Sequence, residues 1–328
     1  MKTLSIIIST YNRKKILKTN IKKMLMSKCN DVEFLVCDNA SVDETWEYLK
    51  TIKDERVKIY RNDINYGFEN FWLISEYVKT KYFMFVNDRD YINPNEITDI
   101  CNKLAKINNV DFISNEKRNM LVGYYGWKDA IDIYFQSRHP GTLIYNTQFI
   151  KNNMNLDIIR KYIESDKVGI SNNYLVFQIL LNVKRVYLNG RNPINQPSNR
   201  ERIHKERKEY YGYPYMSLEY RILEFDSWIE YGMHYIDNNR TRDILLGVYK
   251  DAIMTVTWEY YFSMKIPGLA ERNHYENHSV NEWKYNGIKL CLHVLINKNV
   301  YKYKMVKKIL LITVQEYIDA IKNVMEWN

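Results

Sequence analysis

The chain has 328 residues, of which 46% are hydrophobic, and a formal net charge of +9 at pH 7. This length suffices for one large or two modest domains, and no apolar run approaches the roughly 20 residues that cross a bilayer. The basic residues are spread along the chain, which disfavours a dedicated nucleic-acid arm, and no signal peptide is expected before LSIIIST. The cysteines lack metal-ligand spacing, so we expect packing thiols in a reducing cytoplasm, at Cys29, Cys37, Cys101 and Cys291.

The first hundred residues alternate apolar runs with helical patterns. Short runs rich in branched or aromatic residues predict strands at residues 4–8, 32–37, 57–60 and 82–86. Ser41 and Glu44 have the spacing of a capping box for the second helix. Asn93, followed by Pro94, predicts the start of the fourth helix. Because strand and helix alternate in βαβ units, we expect an α/β fold: a Rossmann-like, mostly parallel sheet flanked by helices.

Beyond residue 110 the pattern is weaker. Residues 111–114, 142–145 and 185–188 predict strands, and residues 172–181 predict a helix. Residues 190–208 combine two prolines with many basic side chains, which indicates a loop or linker. From residue 209 the periodicity is helical. We therefore expect a nucleotide-binding domain over residues 1–208, ending in the basic loop, and a bundle of three to five helices over residues 209–328.

Polar residues directly follow three of the predicted strands. STYNR ends the first strand, Asp38 ends the second, and NDRD ends the fourth. Ligands of open parallel sheets bind beyond the carboxyl ends of the strands, where Asp38 can accept a hydrogen bond from a base or ribose. Asp88 and Asp90 are costly to bring together unless a cation neutralises them. Mg²⁺ is commonly held by one or two carboxylates plus substrate phosphates, so the sequence indicates a nucleotide-diphosphate site with a metal.

Four sequence blocks carry a resemblance to a known family. LSIIISTYNR, VCDNASVDET, NYGFENFW and FMFVNDRD occur in the order and at the spacing of the inverting family-two glycosyltransferases, which have a GT-A fold. Within the family, the sequence most resembles abequosyltransferase-like bacterial members. The resemblance is clear over residues 1–109 and extends weakly to about residue 190. The resemblance implies single-displacement transfer of a sugar from a nucleotide-diphosphate sugar, a UDP-sugar by preference, to an acceptor hydroxyl. It also implies a role in assembling a capsule, O-antigen or other surface glycan.

The resemblance also implies site residues. Those expected to contact the nucleotide sugar are Thr10, Tyr11, Arg13, Asp38, Asn39, Ser41, Asn65, Gly67, Asp88 and Arg89. Asp88 and Asp90 match the family's metal-binding DxD motif, with Asp90 as the preferred direct ligand of Mn²⁺ or Mg²⁺. Two departures leave alternatives: Asn87 stands where an aspartate is frequent, so the motif register can also run from Asn87 to Asp90. Arg89, in the middle of the motif, can pair with a neighbouring carboxylate or with the donor sugar.

Transfer by single displacement needs a carboxylate within hydrogen-bond reach of the acceptor hydroxyl. The resemblance implies a position shortly before the helix at residues 172–181, where both Glu164 and Asp166 stand, and Asp166 is preferred because it is nearer the helix. Arg202 and His204 in the basic segment can neutralise the departing nucleotide, and His204 can also ligate the metal. A solvated linker explains that segment as well. Arg138 and His139 can contact the acceptor or a phosphate, or simply form a turn before a strand.

Two other functions remain open at this point. A nucleotidyltransferase also joins a Rossmann-like sheet to paired acids, but STYNRKK lacks the glycines of its phosphate loop. A non-catalytic module that binds sugar nucleotides or glycans is compatible with Asn87 and Arg89. We expect a glycan or lipid-linked oligosaccharide acceptor, no nucleic-acid partner, and a cytoplasmic location that can include the inner face of the plasma membrane. The basic, aromatic residues 297–308 suit anionic headgroups, a contact between subunits or an ordinary exposed helix face.

Overall fold

The structure is a computed structural model that describes residues 2–116, 120–137, 140–158, 161, 170–195, 218–265 and 280–326. The chain divides into two compact units, residues 1–198 and 199–328. The boundary predicted at residue 208 lies outside the described residues, so it stays a prediction.

The first unit is built on a mixed sheet whose described strands have the order β3-β2-β1-β4-β8-β6-β9-β7. Strands β1 to β4 are mutually parallel, whereas β8 runs antiparallel to β4 and β6, and β7 runs antiparallel to β9. A separate antiparallel pair joins β5 and β10. The strands are β1 (Leu4–Thr10), β2 (Val32–Asp38), β3 (Val57–Arg61), β4 (Tyr82–Asn87), β5 (Tyr91–Ile92), β6 (Phe112–Ser114), β7 (Gly123–Gly126), β8 (Leu143–Asn146), β9 (Arg185–Leu188) and β10 (Ile194–Asn195).

Helices cover both faces of this sheet, because its central strands are apolar on both sides. Ile6 and Ile8 of β1 pack into one core, and Ile7 between them packs into a second core on the opposite face. The helices of this unit are α1 (Lys14–Leu25), α2 (Thr45–Lys50), α3 (Asn70–Ser75), α4 (Pro94–Leu104), α5 (Trp127–Gln136), α6 (Thr147–Asn153) and α7 (Ile170–Asn182). The mostly parallel arrangement with flanking helices confirms the α/β fold predicted from the strand and helix alternation.

The second unit is helical, as predicted. Its central helix α9 packs against α8, α10 and α12, and the phenol of Tyr249 lies 2.7 Å from the hydroxyl of Thr313 inside the bundle. None of the described helices is both long and apolar enough to cross a membrane. The described helices are α8 (Leu218–Gly232), α9 (Thr241–Lys265), α10 (Val280–Ile296), α11 (Lys298–Lys302) and α12 (Val306–Glu326).

The predicted capping box of the second helix is wrong. Helix α2 begins only at Thr45, and Ser41 lies in the loop before it, where its hydroxyl accepts a hydrogen bond from the backbone N–H of Asn12 at 2.9 Å. The carboxylate of Asp43, closer to the helix, instead accepts from the N–H of Thr45 at 2.9 Å. A second correction concerns the predicted linker, because Ile194–Asn195 within it forms β10 and pairs with β5.

Candidate active site

The carboxyl ends of β1, β2 and β4 meet at one edge of the sheet. The register pairs Thr10 with Asp38 on one side of β1 and Ser9 with Asn87 on the other. The three polar segments that the sequence placed after these strands are therefore neighbours in space, which is the usual ligand edge of such a sheet.

Asp88 forms the centre of this edge and is almost fully buried. Its Oδ2 accepts a hydrogen bond from the Thr10 hydroxyl at 2.9 Å, and its Oδ1 lies 3.0 Å from Nη1 of Arg13. The backbone carbonyl of Asp88 accepts from Nδ2 of Asn20 at 3.1 Å. Burial raises the pKa of the Asp88 carboxyl, while Arg13, Thr10 and the charge of Arg89 act in the opposite direction. Asp88 therefore already has a cationic partner within the protein.

Asp90 is buried in a tight turn with a neutral partner. The side-chain amide of Asn87 donates to Oδ2 of Asp90 at 3.0 Å, and the backbone N–H of Asp90 donates to the carbonyl of Asn87 at 2.9 Å. Within the described part of the chain, no three His, Cys, Asp or Glu side chains are grouped so as to hold a metal. The local donor set is thus a carboxylate beside an amide, which suits a divalent ion that takes its remaining oxygens from phosphates.

Asp38 is fully buried at the end of β2. Its Oδ1 accepts a hydrogen bond from the backbone N–H of Ser41 at 3.2 Å. Its Oδ2 lies 3.3 Å from Nε of Arg61, a charge contact, but receives no hydrogen bond in the structure. Arg61 in turn donates to the carbonyl of Ser41 and lies over the ring of Trp46, 5.6 Å from its centroid. A buried carboxylate oxygen without a donor is unusual, so Asp38 has capacity for one more N–H.

The loop after β1 is fixed to the loop after β2. Asn12 has a φ of +52°, in the left-handed region that asparagine tolerates better than most residues. Its side-chain oxygen accepts hydrogen bonds from the N–H groups of Val42 at 2.8 Å and Asp43 at 3.4 Å. Tyr11, half-buried beside it, lies on the same loop. The two loops that the resemblance assigns to the nucleotide are therefore joined by hydrogen bonds.

A network of asparagine side chains lies next to the same edge of the sheet. Asn39 donates to the side-chain oxygen of Asn65 at 2.7 Å and accepts from the amide of Asn62 at 2.8 Å. Asn62 also donates to Asn70 at 2.7 Å, and Asn70 donates to the hydroxyl of Ser9 at 2.7 Å. Because Asn39, Asn62 and Asn70 each both donate and accept, the network fixes the ends of β1, β2 and β3 relative to α3.

The turn at Asn65 and Gly67 continues this network. The side-chain oxygen of Asn65 accepts from the N–H of Gly67 at 2.9 Å, and Asn39 donates to the carbonyl of Gly67 at 3.3 Å. Gly67 has a φ of +61°, where a side chain is disfavoured. The Asn-x-Gly element identified in the sequence is thus a turn attached to the Asp38 loop.

Several predicted site residues fall outside the described residues: Glu164, Asp166, Arg202, His204, Arg138 and His139. The helix expected just after the two acids is present as α7, and the indole N–H of Trp72 donates to Asn172 at its start at 2.7 Å. The sequence analysis missed four residues that build the edge, namely Asn12, Arg61, Asn62 and Asn70. Their signal was their position immediately beyond a predicted strand or at the first residue of a helix, where polar side chains satisfy backbone groups.

The chain is similar in sequence to known proteins. Residues 5–163 match the family described as Glycosyl transferase family 2. Over 122 residues, or 36% of this chain, the sequence is 30% identical to the Escherichia coli protein UDP-Glc:alpha-D-GlcNAc-diphosphoundecaprenol beta-1,3-glucosyltransferase WfaP, and this match spans 43% of that relative.

Solved structures show the same fold. The crystal structure of S. aureus TarS 1-349 has a TM-score of 0.57 and 13% identity, covering 100% of this chain and 92% of that one. The structure of TarS 1-349 in complex with UDP-GlcNAc has a TM-score of 0.56 and 15% identity, covering 99% and 91%. At this identity the likeness concerns the fold alone.

The parallel strands and the polar edge at their carboxyl ends define a GT-A fold domain. More particularly, residues 5–163, a little under half of the chain, match the family described as Glycosyl transferase family 2.

Proposed function

We propose that this chain is an inverting glycosyltransferase that moves a sugar from a UDP-sugar to the hydroxyl of a glycan acceptor during assembly of a bacterial surface polysaccharide. One observation carries the proposal: Oδ2 of Asp38 is buried at the ligand edge of the sheet and receives no hydrogen bond from any described residue. The imide N–H of uracil supplies the donor that this oxygen needs. In the structure the Arg61 side chain, 43% exposed, lies against this oxygen, so the base would reach it only once that side chain is displaced.

The diphosphate of the donor is proposed to lie along the β1 and β4 ends. Arg13, held at 3.0 Å from Asp88, keeps that buried carboxylate neutralised so that it does not repel the phosphates. Asp90 is the residue that would hold Mn²⁺ or Mg²⁺, with the phosphates completing the coordination, and Asp88 positions the turn through Thr10. A metal bound there supplies charge stabilisation to the departing nucleotide. His204 and Arg202 are proposed to approach the same phosphates from the basic segment.

The acceptor is activated by a carboxylate, for which Asp166 is proposed, with Glu164 as the alternative. The carboxylate removes the proton of the acceptor hydroxyl, and the acceptor oxygen forms a bond to the anomeric carbon. The bond from that carbon to the β-phosphate oxygen breaks on the opposite face, so UDP leaves with the electron pair and the configuration inverts. Both acids precede α7, whose start is attached to α3 through Trp72 and Asn172.

The E. coli relative supports a lipid-linked acceptor, since its name specifies a UDP-glucose donor and a GlcNAc-diphosphoundecaprenol acceptor. The match spans less than half of that relative, so the acceptor is part of the proposal. We place the protein in the cytoplasm at the inner face of the plasma membrane, where such an acceptor is elongated. Assembly into a homo-oligomer through the C-terminal helices is proposed as well.

A donor screen tests this function. Purified protein is incubated with a panel of nucleotide sugars and Mn²⁺, with Asp90→Ala as the comparison, and released nucleotide is measured. We expect UDP from one UDP-sugar and at least tenfold less from Asp90→Ala. Release of pyrophosphate instead of UDP would indicate a nucleotidyltransferase, and binding without any turnover would indicate a non-catalytic module. Full activity of Asp90→Ala would contradict the proposed metal ligand.

A further inference from the structure

Helix α10 of the second unit carries an apolar row on its solvent side. Tyr285, Ile288, Leu292 and Ile296 are between 45% and 75% exposed. Their spacing of three and four residues aligns them along one side of the helix for about 16 Å. The opposite side of the helix is also apolar and is buried in the bundle through Leu290, Cys291 and Val294. We call the four exposed residues the α10 row.

A helix that carries apolar side chains on its exposed side as well as on its buried side is often covered on both. Lys289 lies beside the α10 row, and it is the one polar residue among the described side chains of α10 that are exposed. Helix α12 repeats the pattern, with an exposed apolar row that follows Lys307 and Lys308 and consists of Leu310, Leu311, Val314 and Ile318. A contiguous apolar surface with a polar margin is typical of an interaction site.

The charge of the chain segment that carries the α10 row favours one kind of binding partner. Residues 283–315 contain seven lysines and no aspartate or glutamate. In contrast, residues 218–265 contain eight acidic and five basic residues. The lysines that follow the row, Lys298, Lys302 and Lys304, are all exposed, and Tyr301 among them is exposed as well. The chain segment that carries the α10 row is therefore basic, and the acidic side chain shown beside α10 is Asp226, which pairs with His293.

An anionic bilayer surface complements this combination. Apolar side chains enter the boundary between headgroups and acyl chains, while lysines keep their ammonium groups among the anionic headgroups. A second copy of the chain fits this surface less well, because a two-fold contact through the same face brings lysine against lysine, so the proposed homo-oligomer would use other faces of the C-terminal helices. No described helix is able to span the bilayer, so the contact is a peripheral one.

We infer that the α10 row and the lysines of residues 289–308 form a docking surface for an anionic membrane, with α10 lying parallel to the bilayer plane. The inference goes beyond the transfer reaction, and it gives the proposed lipid-linked acceptor a surface at which to meet the enzyme. From the sequence, only residues 297–308 had been connected with anionic headgroups, and nothing had been predicted for the apolar row of α10.

Vesicle flotation with the full chain tests this surface. Vesicles of pure phosphatidylcholine are compared with vesicles containing 30% phosphatidylglycerol. We expect binding to the anionic vesicles that is at least tenfold tighter and that weakens with salt. Leu292→Gln with Ile296→Gln should weaken it at least tenfold, and Lys298→Glu with Lys302→Glu should remove its preference for anionic lipid.

Matched controls use exposed residues elsewhere on the chain. Met26→Gln with Ile236→Gln removes two exposed apolar side chains, and Lys79→Glu with Lys106→Glu reverses two exposed lysines. Both control pairs should bind vesicles like the unchanged protein. Circular dichroism and the melting temperature check that each variant is folded, which is expected because the substituted side chains face solvent.

Equal vesicle binding by Leu292→Gln with Ile296→Gln and by the control Met26→Gln with Ile236→Gln would overturn the inference. So would a dimer in sedimentation velocity without vesicles that Leu292→Gln with Ile296→Gln converts to a monomer, because a second copy would then cover the row. UDP release without vesicles is measured in parallel. Loss of vesicle binding with normal UDP release in Leu292→Gln with Ile296→Gln supports the docking surface. Absent UDP release with normal vesicle binding by the unchanged protein contradicts only the transferase.

Discussion

Arg13 and Asp88 are joined by an ion pair of 3.0 Å between Nη1 and Oδ1, and the Asp88 side chain is 1% exposed. The pair connects the loop after β1 to the end of β4. Since a carboxylate buried this deeply is costly without a counter-charge, the arginine holds together the edge at which the donor is proposed to bind.

Removing that counter-charge should destabilise the first unit. We expect Arg13→Ala to lower the free energy of unfolding by about 3 kcal/mol at neutral pH, because it leaves an uncompensated buried carboxylate. The loss should shrink in acid, since burial raises the pKa of Asp88 and protonation then removes the charge. Urea unfolding at pH 7 and pH 5 measures both effects.

The double variant is the control for this pair. Arg13→Ala with Asp88→Asn should be more stable than Arg13→Ala alone, because the amide carries no charge to compensate. If the double variant is as unstable as the sum of the two single changes, the ion pair does not have the role given to it here.

The asparagine network should matter for both stability and donor binding. Asn70→Ala removes the hydrogen bonds to Ser9 and Asn62 and leaves these half-buried partners without them, which costs about 1 kcal/mol. Because Asn62 holds Asn39, the KM for the donor should rise as well. Asn102→Ala, at an exposed position on α4, should change neither value. If Asn70→Ala is destabilised but its KM for the donor is unchanged, the asparagine network has no role in donor binding.

The turn at Gly67 offers a test of local geometry. Gly67→Ala places a side chain at a φ of +61°, which costs about 1–2 kcal/mol and disturbs the hydrogen bonds from Asn39 and to Asn65. We expect a raised donor KM in steady-state kinetics. Gly123→Ala is the matched control, because a methyl group there meets no atom within 4 Å. Identical kinetics for the two variants would argue against a role for this turn.

Much of this architecture was predictable, and the reasons for the failures are physical. The runs at β1, β2 and β4 are covered on both faces, so their apolar character alone marks them as strands, whereas β3 is an edge strand that leaves Lys58 and Arg61 exposed. The two-residue strand β5 and the Gly-bounded β7 carry no comparable pattern, because they depend on partners distant in sequence. Asp38, Asp88 and Asp90 were found because they directly follow such strands.

The partners of these acids were harder to predict. The pairing of Arg13 with Asp88 spans 75 residues, and that of Asp38 with Arg61 depends on the register of β2 and β3. Ser41 shows the limit of a local motif: its spacing to Glu44 fits a capping box, but the hydroxyl is used by Asn12 instead. Local patterns indicate which residues are polar, whereas the sheet decides which of them meet.

Alkaline pH should destabilise the protein through its buried acids. Burial raises the pKa of Cys37, Tyr134 and Tyr303 to about 12, above the ordinary 9.0 of a thiol and 10.0 of a phenol. The unfolded chain loses these protons first, so the free energy of unfolding should fall as the pH rises from about 9 towards 12. Each group contributes about 1.4 kcal/mol per pH unit once it is ionised in the unfolded chain.

Urea unfolding at pH 8, 9.5 and 10.5 measures this decline. Cys37→Ala should make it less steep, because one buried acid is removed. A free energy of unfolding that stays constant over this range would contradict the burial of these groups.

The most direct test of the donor site is calorimetric titration of UDP in the presence of Mn²⁺, comparing the unchanged protein with Asp38→Asn and with Asp99→Asn as an exposed control. The account predicts that Asp38→Asn weakens UDP binding at least tenfold, because the amide cannot reproduce the second carboxylate oxygen offered to the base, and that Asp99→Asn binds normally. Equal affinity for Asp38→Asn, or no binding of UDP to the unchanged protein, would contradict the assignment of this edge to a uridine nucleotide.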